Sequence, residues 1–450
     1  MKKILKKAIC VGMACMMAAS LAACSGNTSS SSGSAAPTTA AVQQGSEAVV
    51  PASASGEKKV IKLFHRFPDD PCNSFIEKKV AEYEAAHPDI TIEISSAQNQ
   101  PYKEKIKVVV GSDECPDIFF SWGGEFSERF IRENLIMDLT SYMTGEWADS
   151  LLQTQMVEYT TADGMIYGVP FRLDAKLFFY NKDIFEAQGL TVPTTWDEFI
   201  DVCEALKSAG ITPIAEGNQD QWPGCHYVGT LNQLLVADDV RAKDYNPKTG
   251  EFTDPGYAQA LEYYQQLVAY MNPGVNGQTH DMARLGFTQG QTGLLYAELV
   301  EITNIKQENA DLNWGMFNFP LIEGAGNPGL LTGSPEGFVV SAKTRYPDEC
   351  IEFLKWFLGP EAGAEQAEEV GWFNASKGVD KNLTDESLKE AYSVMVSAEE
   401  MGPWFDSSLY STVCDAYLTA ISDVTNGDVT PADAMTKIQR IAKEAQTLVE

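Results

Sequence analysis

Pro116-Asp117-Ile118-Phe119-Phe120-Ser121-Trp122-Gly123-Gly124 reads as a short strand, apolar on both faces and stopped by two glycines. A strand buried on both sides belongs inside a sheet that helices cover, as parallel sheets require. Upstream, Val60–Phe64 reads as a buried strand. Phe75–Ala86 is helical, with Phe75, Ile76, Val80 and Tyr83 near a 3.6 period, and it stops at His87-Pro88. Ile90–Ile94 alternates as a strand, and Tyr102–Val110 is helical. Downstream, the run from Gly164 to Phe171 reads as a hairpin or strand pair ending at Pro170, and Leu177–Tyr180 as another strand. Thr195 followed by Glu198 is a capping box, in which each side chain serves an orphan backbone N–H. The helix it opens buries Phe199, Val202, Cys203 and Leu206 and ends at Gly210, where a left-handed cap is expected. Strand and helix keep alternating, which predicts an α/β fold with mixed, mostly parallel sheets flanked by helices.

The chain has 450 residues and a net charge of −30. Residues 1–23 combine a basic start, Met1-Lys2-Lys3-Ile4-Leu5-Lys6-Lys7, with an apolar run too short to span a bilayer. That order is a secretory signal. Leu21-Ala22-Ala23-Cys24 places a cysteine at the first mature position, the mark of a bacterial lipoprotein, so Cys24 is expected to carry the acyl chains. Residues 24–57 are mostly Ser, Ala, Gly, Thr, Pro and Gln, and read as a disordered tether with ends on the order of 30 Å apart. The body from Lys58 onward, about 390 residues, is more than one core usually organises, so two lobes are expected. Removing the four lysines before Cys24 takes the charge to −34, which repels phosphate backbones and excludes nucleic acid as a partner. Cys72, Cys115, Cys203, Cys225, Cys350 and Cys414 are irregularly spaced with no Cys-x-x-Cys, which gives no support to a zinc or redox motif. Export permits disulfides among them, but mostly free thiols are expected.

The segments Pro116–Gly124, Tyr167-Gly168-Val169-Pro170-Phe171, Phe179-Tyr180-Asn181-Lys182-Asp183-Ile184-Phe185 and Pro193-Thr194-Thr195-Trp196-Asp197-Glu198-Phe199 follow in that order. The set resembles the family 1 extracellular solute-binding proteins, carbohydrate receptors of ABC importers with the maltose-binding-protein fold. Phe287–Glu298 is similar to that family's return segment, with Thr292-Gly293-Leu294 where Ala-Ala-Met is more usual. Leu330–Ser341 with Glu349–Leu358 is similar to its second crossover and helix. The resemblance implies two α/β lobes joined by crossing strands, with the ligand in the cleft. One lobe would take Lys58–Arg172 and Met282–Leu321, and the other Lys176–Asp281 and residues 337–450. It also implies a sugar or oligosaccharide ligand, permease subunits as partners, a monomer, and anchorage outside the cell membrane through lipid alone.

Sugar recognition needs flat aromatics for ring C–H faces and carboxylates, amides or guanidinium groups for hydroxyls. Trp122 sits at the carboxyl end of a strand, where ligands bind in open α/β sheets, and Gly123 lets backbone approach a ligand. Trp222, Trp372 and Trp404 lie on Gly/Pro-rich loops, where site and packing roles stay open, while Trp196 and Trp356 read as core. Arg66 follows the first strand, Arg172 and Asp174 flank the expected hinge, Glu298 closes the return segment, and Glu336 lies in Gly333-Ser334-Pro335-Glu336-Gly337. For Arg172 and Asp174 the alternatives are ligand contact or a hinge salt bridge. No His-Glu-x-x-His, Gly-x-Ser-x-Gly or phosphate loop occurs, so no catalytic residue, metal or cofactor is expected. The rival readings are a cell-surface carbohydrate-active hydrolase and a receptor for a non-sugar solute such as a polyamine or an organic acid.

Overall fold

The computed structural model describes residues 58–161, 163–325 and 329–449. The leader, Cys24 and the tether to residue 57 lie outside the described residues. Eleven strands are described: β1 (Lys59–His65), β2 (Ile90–Ser96), β3 (Ile118–Trp122), β4 (Val169–Arg172), β5 (Lys176–Asn181), β6 (Thr212–Ala215), β7 (Thr292–Glu298), β8 (Trp314–Phe317), β9 (Leu330–Thr332), β10 (Glu336–Val340) and β11 (Glu400–Gly402). They form a five-stranded sheet, β2-β1-β3-β10-β4, a four-stranded sheet, β6-β7-β5-β8, and the small pair β11-β9.

The opening stretch behaves as read. All five residues of β3 are buried, and β3 lies at the centre of its sheet, parallel to β1 and antiparallel to β10. Parallel pairing is limited to β1-β2, β1-β3, β6-β7 and β9-β11, and the strands next to the crossings run antiparallel. The share of parallel pairs is thus smaller than simple alternation implies, because strands that return across the hinge enter each sheet reversed. β4 runs through Pro170 to Arg172, and only the isolated bridge Thr160–Ile166 stands for the expected hairpin.

The expected lobe segments need correction. β7 and β8, inside the Met282–Leu321 segment assigned to the first lobe, both pair with β5 in the second sheet. β10, inside the 337–450 segment assigned to the second lobe, pairs with β3 and β4 in the first. Helix Pro347–Phe357 follows β10 into the first lobe's core, whereas helices Ser411–Asn426 and Pro431–Ala445 pack in the second's. The reason is physical. A local apolar pattern fixes that a strand is buried, but its sheet is chosen by distant partners that the pattern does not encode.

One apolar cluster fills the first sheet through Ile118, Phe119 and Phe120 and continues onto one face of the second through Phe179, Leu295 and Ala297. The opposite face of the second sheet, through Phe178, Leu294 and Tyr296, is covered by a separate cluster. The alternation of 178 with 179 and 294 with 295 is the two-residue period of a strand buried on both sides. The six cysteines are free, and Cys203 and Cys350 are fully buried. The capping box is present, with Glu198 N–H donating to Thr195 Oγ1 at 3.4 Å and Thr195 N–H to Glu198 Oε2 at 3.2 Å. Gly210 takes φ +76° beyond that helix. No helix among the described residues is long and apolar enough to cross a membrane.

Candidate functional site

Strand register builds the site. Glu336, at the start of β10, lies opposite Trp122 at the end of β3 and opposite Arg172 at the end of β4. Glu336 Oε1 accepts from Trp122 Nε1 at 3.0 Å, and its Oε2 accepts from Arg66 Nη2 and Arg172 Nε, both at 2.9 Å. Burial works against the Glu336 charge, but Arg172 and Arg66 hold its carboxyl below the ordinary range. Just beyond the three-residue crossing segment 173–175, Lys176 opens β5 opposite Glu298 at the end of β7. Lys176 Nζ lies 3.4 Å from Glu298 Oε1 and 3.3 Å from His226 Nδ1. Burial again opposes ionisation, yet Lys176 and the neighbouring histidines hold Glu298 well below the ordinary range. The ends of two sheets therefore each present a buried charge cluster toward one cleft.

Two adjoining cavities occupy that cleft. The larger, about 580 Å³, is lined by Arg66, Asn99, Arg172 and Trp372 with the first sheet and by Trp222, His280, Arg284 and Glu301 with the second. This volume lies within the roughly 300–1,000 Å³ of small-molecule sites. The smaller, about 100 Å³, is lined by Lys103, Trp122, His226, Glu298, Glu336, Trp404 and Asp406 among others. Lys103 Nζ lies 2.9 Å from Asp406 Oδ2, and His226 Nε2 lies 3.3 Å from Asp406 Oδ1. Another cavity, about 500 Å³ around Glu125, Glu128 and Lys248, has no tryptophan in its wall.

The structure sorts the ten sequence candidates. Arg66, Trp122, Arg172, Trp222, Trp372, Trp404, Glu298 and Glu336 line the cleft. Asp174 lies behind it, 1% exposed. Its Oδ2 sits 3.4 Å from Arg172 Nη2, and its Oδ1 accepts the Ala175 and Val300 N–H groups at 2.9 and 3.4 Å. That is the hinge salt bridge, one of its two expected roles. Gly123 is corrected outright. A Cβ there would stand 2.5 Å from the Glu158 Cβ, so the close approach is to the protein's own chain. Trp122 packs edge-on against Tyr102, Phe120 and Phe126, with Lys103 Nζ 4.7 Å and Arg66 Cζ 5.4 Å from its ring centre. Trp404 is 2% exposed and stacks on His226. Trp222 and Trp372 are half-buried and keep accessible surface in the larger cavity.

Sequence reasoning missed Lys103, Lys176, His226, His280, Glu301 and Asp406. Lys176 carried a signal, since a charged residue that opens an apolar strand beside a hinge must find a buried partner. The histidines carried none: His226 reaches Glu298 from a distant helix, and His280 reaches it only through the way the helix His280–Thr288 folds back on β7.

Residues 71–364 match the model of the family described as bacterial extracellular solute-binding protein. The multiple sugar-binding protein of Streptococcus mutans is 25% identical over 343 residues, which cover 74% of this chain and 79% of that one. A putative binding protein of Brucella abortus is 21% identical, covering 67% and 73%. A solved structure described as a chitin oligosaccharide binding protein superposes with a TM-score of 0.80 at 25% identity, covering 87% of this chain and 100% of that one. One from work on xylan utilisation by Caldanaerobius polysaccharolyticus gives 0.78 at 25%, covering 85% and 99%. With a match across most of its described body and a cleft framed by two sheets, the chain belongs to the bacterial extracellular solute-binding proteins.

Proposed function

We propose that this protein is a monomeric carbohydrate receptor of an ABC importer. It holds a sugar or oligosaccharide in the cleft and delivers it, unaltered, to the permease subunits. The carrying observation is the cavity of about 580 Å³, walled from both sheets and holding two half-buried tryptophans, Trp222 and Trp372, amid paired charges. Flat aromatics take the C–H faces of sugar rings, and charged groups fixed in advance take hydroxyls. A ligand that touches both walls favours the closed arrangement by its differential affinity, and that arrangement is what a permease reads. The names of relatives that bind sugars or belong to ABC transporters support this reading. Trp222 and Trp372 take the stacking role that sequence alone gave to Trp122.

A thermal-shift screen against neutral oligosaccharides tests it. A ligand at one hundred times its dissociation constant stabilises by about 2.7 kcal/mol, and scattering is expected to show the body contract at saturation. Ligand recovered intact is expected, and cleavage in proportion to protein would replace the receptor with a hydrolase. The membrane link is proposed through acyl chains on Cys24. Cys24→Ser is expected to release the protein to the medium with binding unchanged, and retention would refute the anchor.

A further inference from the structure

Two buried polar atoms in the cleft remain unserved by the fold, and Glu301 Oε1 stands close to one of them. His280 and Glu298 are 7% and 6% exposed, and His280 Nε2 and Glu298 Oε2 have no hydrogen-bond partner among the described residues. The nearest approaches are 3.5 Å from His280 Nε2 to Glu298 Oε2 and 3.7 Å to Glu301 Oε1, beyond the usual N–H···O range. His280 and Glu301 line the larger cavity, and Glu298 and Glu301 the smaller, so the three residues stand where the two meet. The far side of each carboxylate is occupied. Lys176 lies on Glu298 Oε1 at 3.4 Å, and Arg284 and Asn304 on Glu301 Oε2, both at 2.7 Å. A buried polar group without a partner is costly, so His280 Nε2 and Glu298 Oε2 await a partner that the cleft receives.

We propose that His280 Nε2, Glu298 Oε2 and Glu301 Oε1 form the anchor that reads adjacent hydroxyls of an uncharged carbohydrate, and that this anchor excludes acidic sugars. The proposal deepens the carbohydrate reading and rests on it. A hydroxyl both donates and accepts. One hydroxyl accepts from His280 Nε2–H and donates to Glu298 Oε2, and its neighbour on the ring donates to Glu301 Oε1. A carboxylate in the same place has no proton to donate and faces two carboxylates. An added cation would have to compete with cations already in place: Lys176 on Glu298, and Arg284, which is shared among Glu301, Asp281 and Glu308. The ammonium and guanidinium already on the two carboxylates also argue against a divalent cation, although the three ligand atoms lie within 4.8 Å of one another. The rim acts in the same direction, because Asp69, Asp70, Asp220 and Asp281 all border the larger cavity and repel an anion before it enters.

Calorimetric titration of the mature protein tests this with five probes: cellotriose, xylotriose, trigalacturonic acid, chitosan trimer and zinc chloride. A neutral trisaccharide is expected to bind, with trigalacturonic acid at least 100-fold weaker. His280→Ala and Glu298→Gln are each expected to weaken the neutral ligand by ten- to thirtyfold. Glu301→Gln, whose side chain is less deeply buried, serves if Glu298→Gln does not fold. Equal binding of trigalacturonic acid overturns the anchor while the carbohydrate reading stands, as does unchanged affinity in the variants. Tightest binding by the chitosan trimer overturns the neutral-ligand claim. Stoichiometric zinc binding lost in His280→Ala makes the three atoms a metal site instead. If neither these sugars nor a wider neutral panel binds, the carbohydrate reading itself fails, and the anchor with it.

Discussion

Two charge clusters face each other across the 173–175 crossing, and both are products of strand register. In the first, Trp122, Glu336 and Arg172 sit side by side across three strands, and the carboxylate meets two arginines and an indole N–H within 3.0 Å. Arg66 Nε has no hydrogen-bond partner among the described residues, but its guanidinium lies 4.8–5.4 Å from the ring centres of Phe67, Phe120 and Trp122. In the second, Lys176 faces Glu298 in the same way, but the other carboxylate oxygen meets only the imidazole of His280, which burial pushes toward its neutral form. One construction thus gives a sealed joint in the first lobe and an open valence in the second. A carboxylate held by two arginines and an indole N–H closes the first cluster, whereas a histidine in place of a second cation leaves room for a ligand in the other.

The most disruptive way to break this comparison is Glu336→Gln. It leaves Arg66 without an ionic partner and Arg172 with Asp174 alone, at side chains 13% and 6% exposed, and removing one partner of a buried pair costs about 3–5 kcal/mol. Denaturant unfolding is expected to show a loss of that order. A loss below about 1 kcal/mol would mean that the first cluster is not a structural joint.

Glu216, just beyond β6 and 1% exposed, sharpens the contrast through pH. Burial, with Glu298 nearby, pushes its carboxyl from 4.5 to about 8, and the pull of Lys176 does not offset this. The folded state keeps the proton while the unfolded chain gives it up above pH 4.5. The stability contributed is therefore full below about pH 4.5 and is lost as pH rises toward about 8. Glu216→Gln holds no proton to lose. It is expected to match the wild type near pH 4.5 and exceed it by on the order of 4 kcal/mol at pH 8. Parallel melting curves for the two proteins from pH 5 to 8 would show that Glu216 is already ionised in the fold.

The sequence made the elements near the cleft legible because their signals are local. β3 announced itself by five apolar or small residues, and the helix Trp196–Ser208 by its capping box. Eight of ten candidate residues line the cleft because loop tryptophans and charges at strand ends obey rules of position. What sequence misplaced was non-local. The sheet that β7 and β10 join depends on partners more than one hundred residues away, whereas the meeting of His280 with Glu298 and Glu301 depends on how the helix His280–Thr288 folds back on β7, the next element along the chain. Gly123 was misjudged because a strand end facing a cleft and one packed under a neighbouring loop look alike along the chain.

The tryptophans separate affinity from stability. Trp222, half-buried in the larger cavity, is expected to act as a stacking platform. Trp222→Ala is expected to cost about 2 kcal/mol of binding, near thirtyfold in affinity, with little change in melting. Trp122, enclosed by three aromatics and tied to Glu336, is expected to do the reverse on truncation, with a melting temperature that falls more than its affinity. Equal loss of binding in both would place Trp122 on the ligand after all and reopen the first cluster.

The smallest expected effect is the control on which that separation depends. Thr195 caps the helix Trp196–Ser208 and is exposed, and neither it nor Glu198 lines either cavity of the cleft. Thr195→Ala removes a side-chain oxygen that accepts the Glu198 N–H, which leaves one orphan donor at the helix start. Such caps are worth about 1 kcal/mol. Because the helix packs Phe199, Val202, Cys203 and Leu206 into the second lobe's core, the loss falls on the same lobe that carries Trp222. Denaturant unfolding is expected to register that loss while titration with the ligand gives the wild-type affinity. If affinity drops with so remote a cap, then loosening the second lobe is enough to weaken binding. In that case the Trp222 result no longer identifies a stacking platform, and the contrast between a sealed first cluster and an open second one must rest on the His280 and Glu298 variants alone.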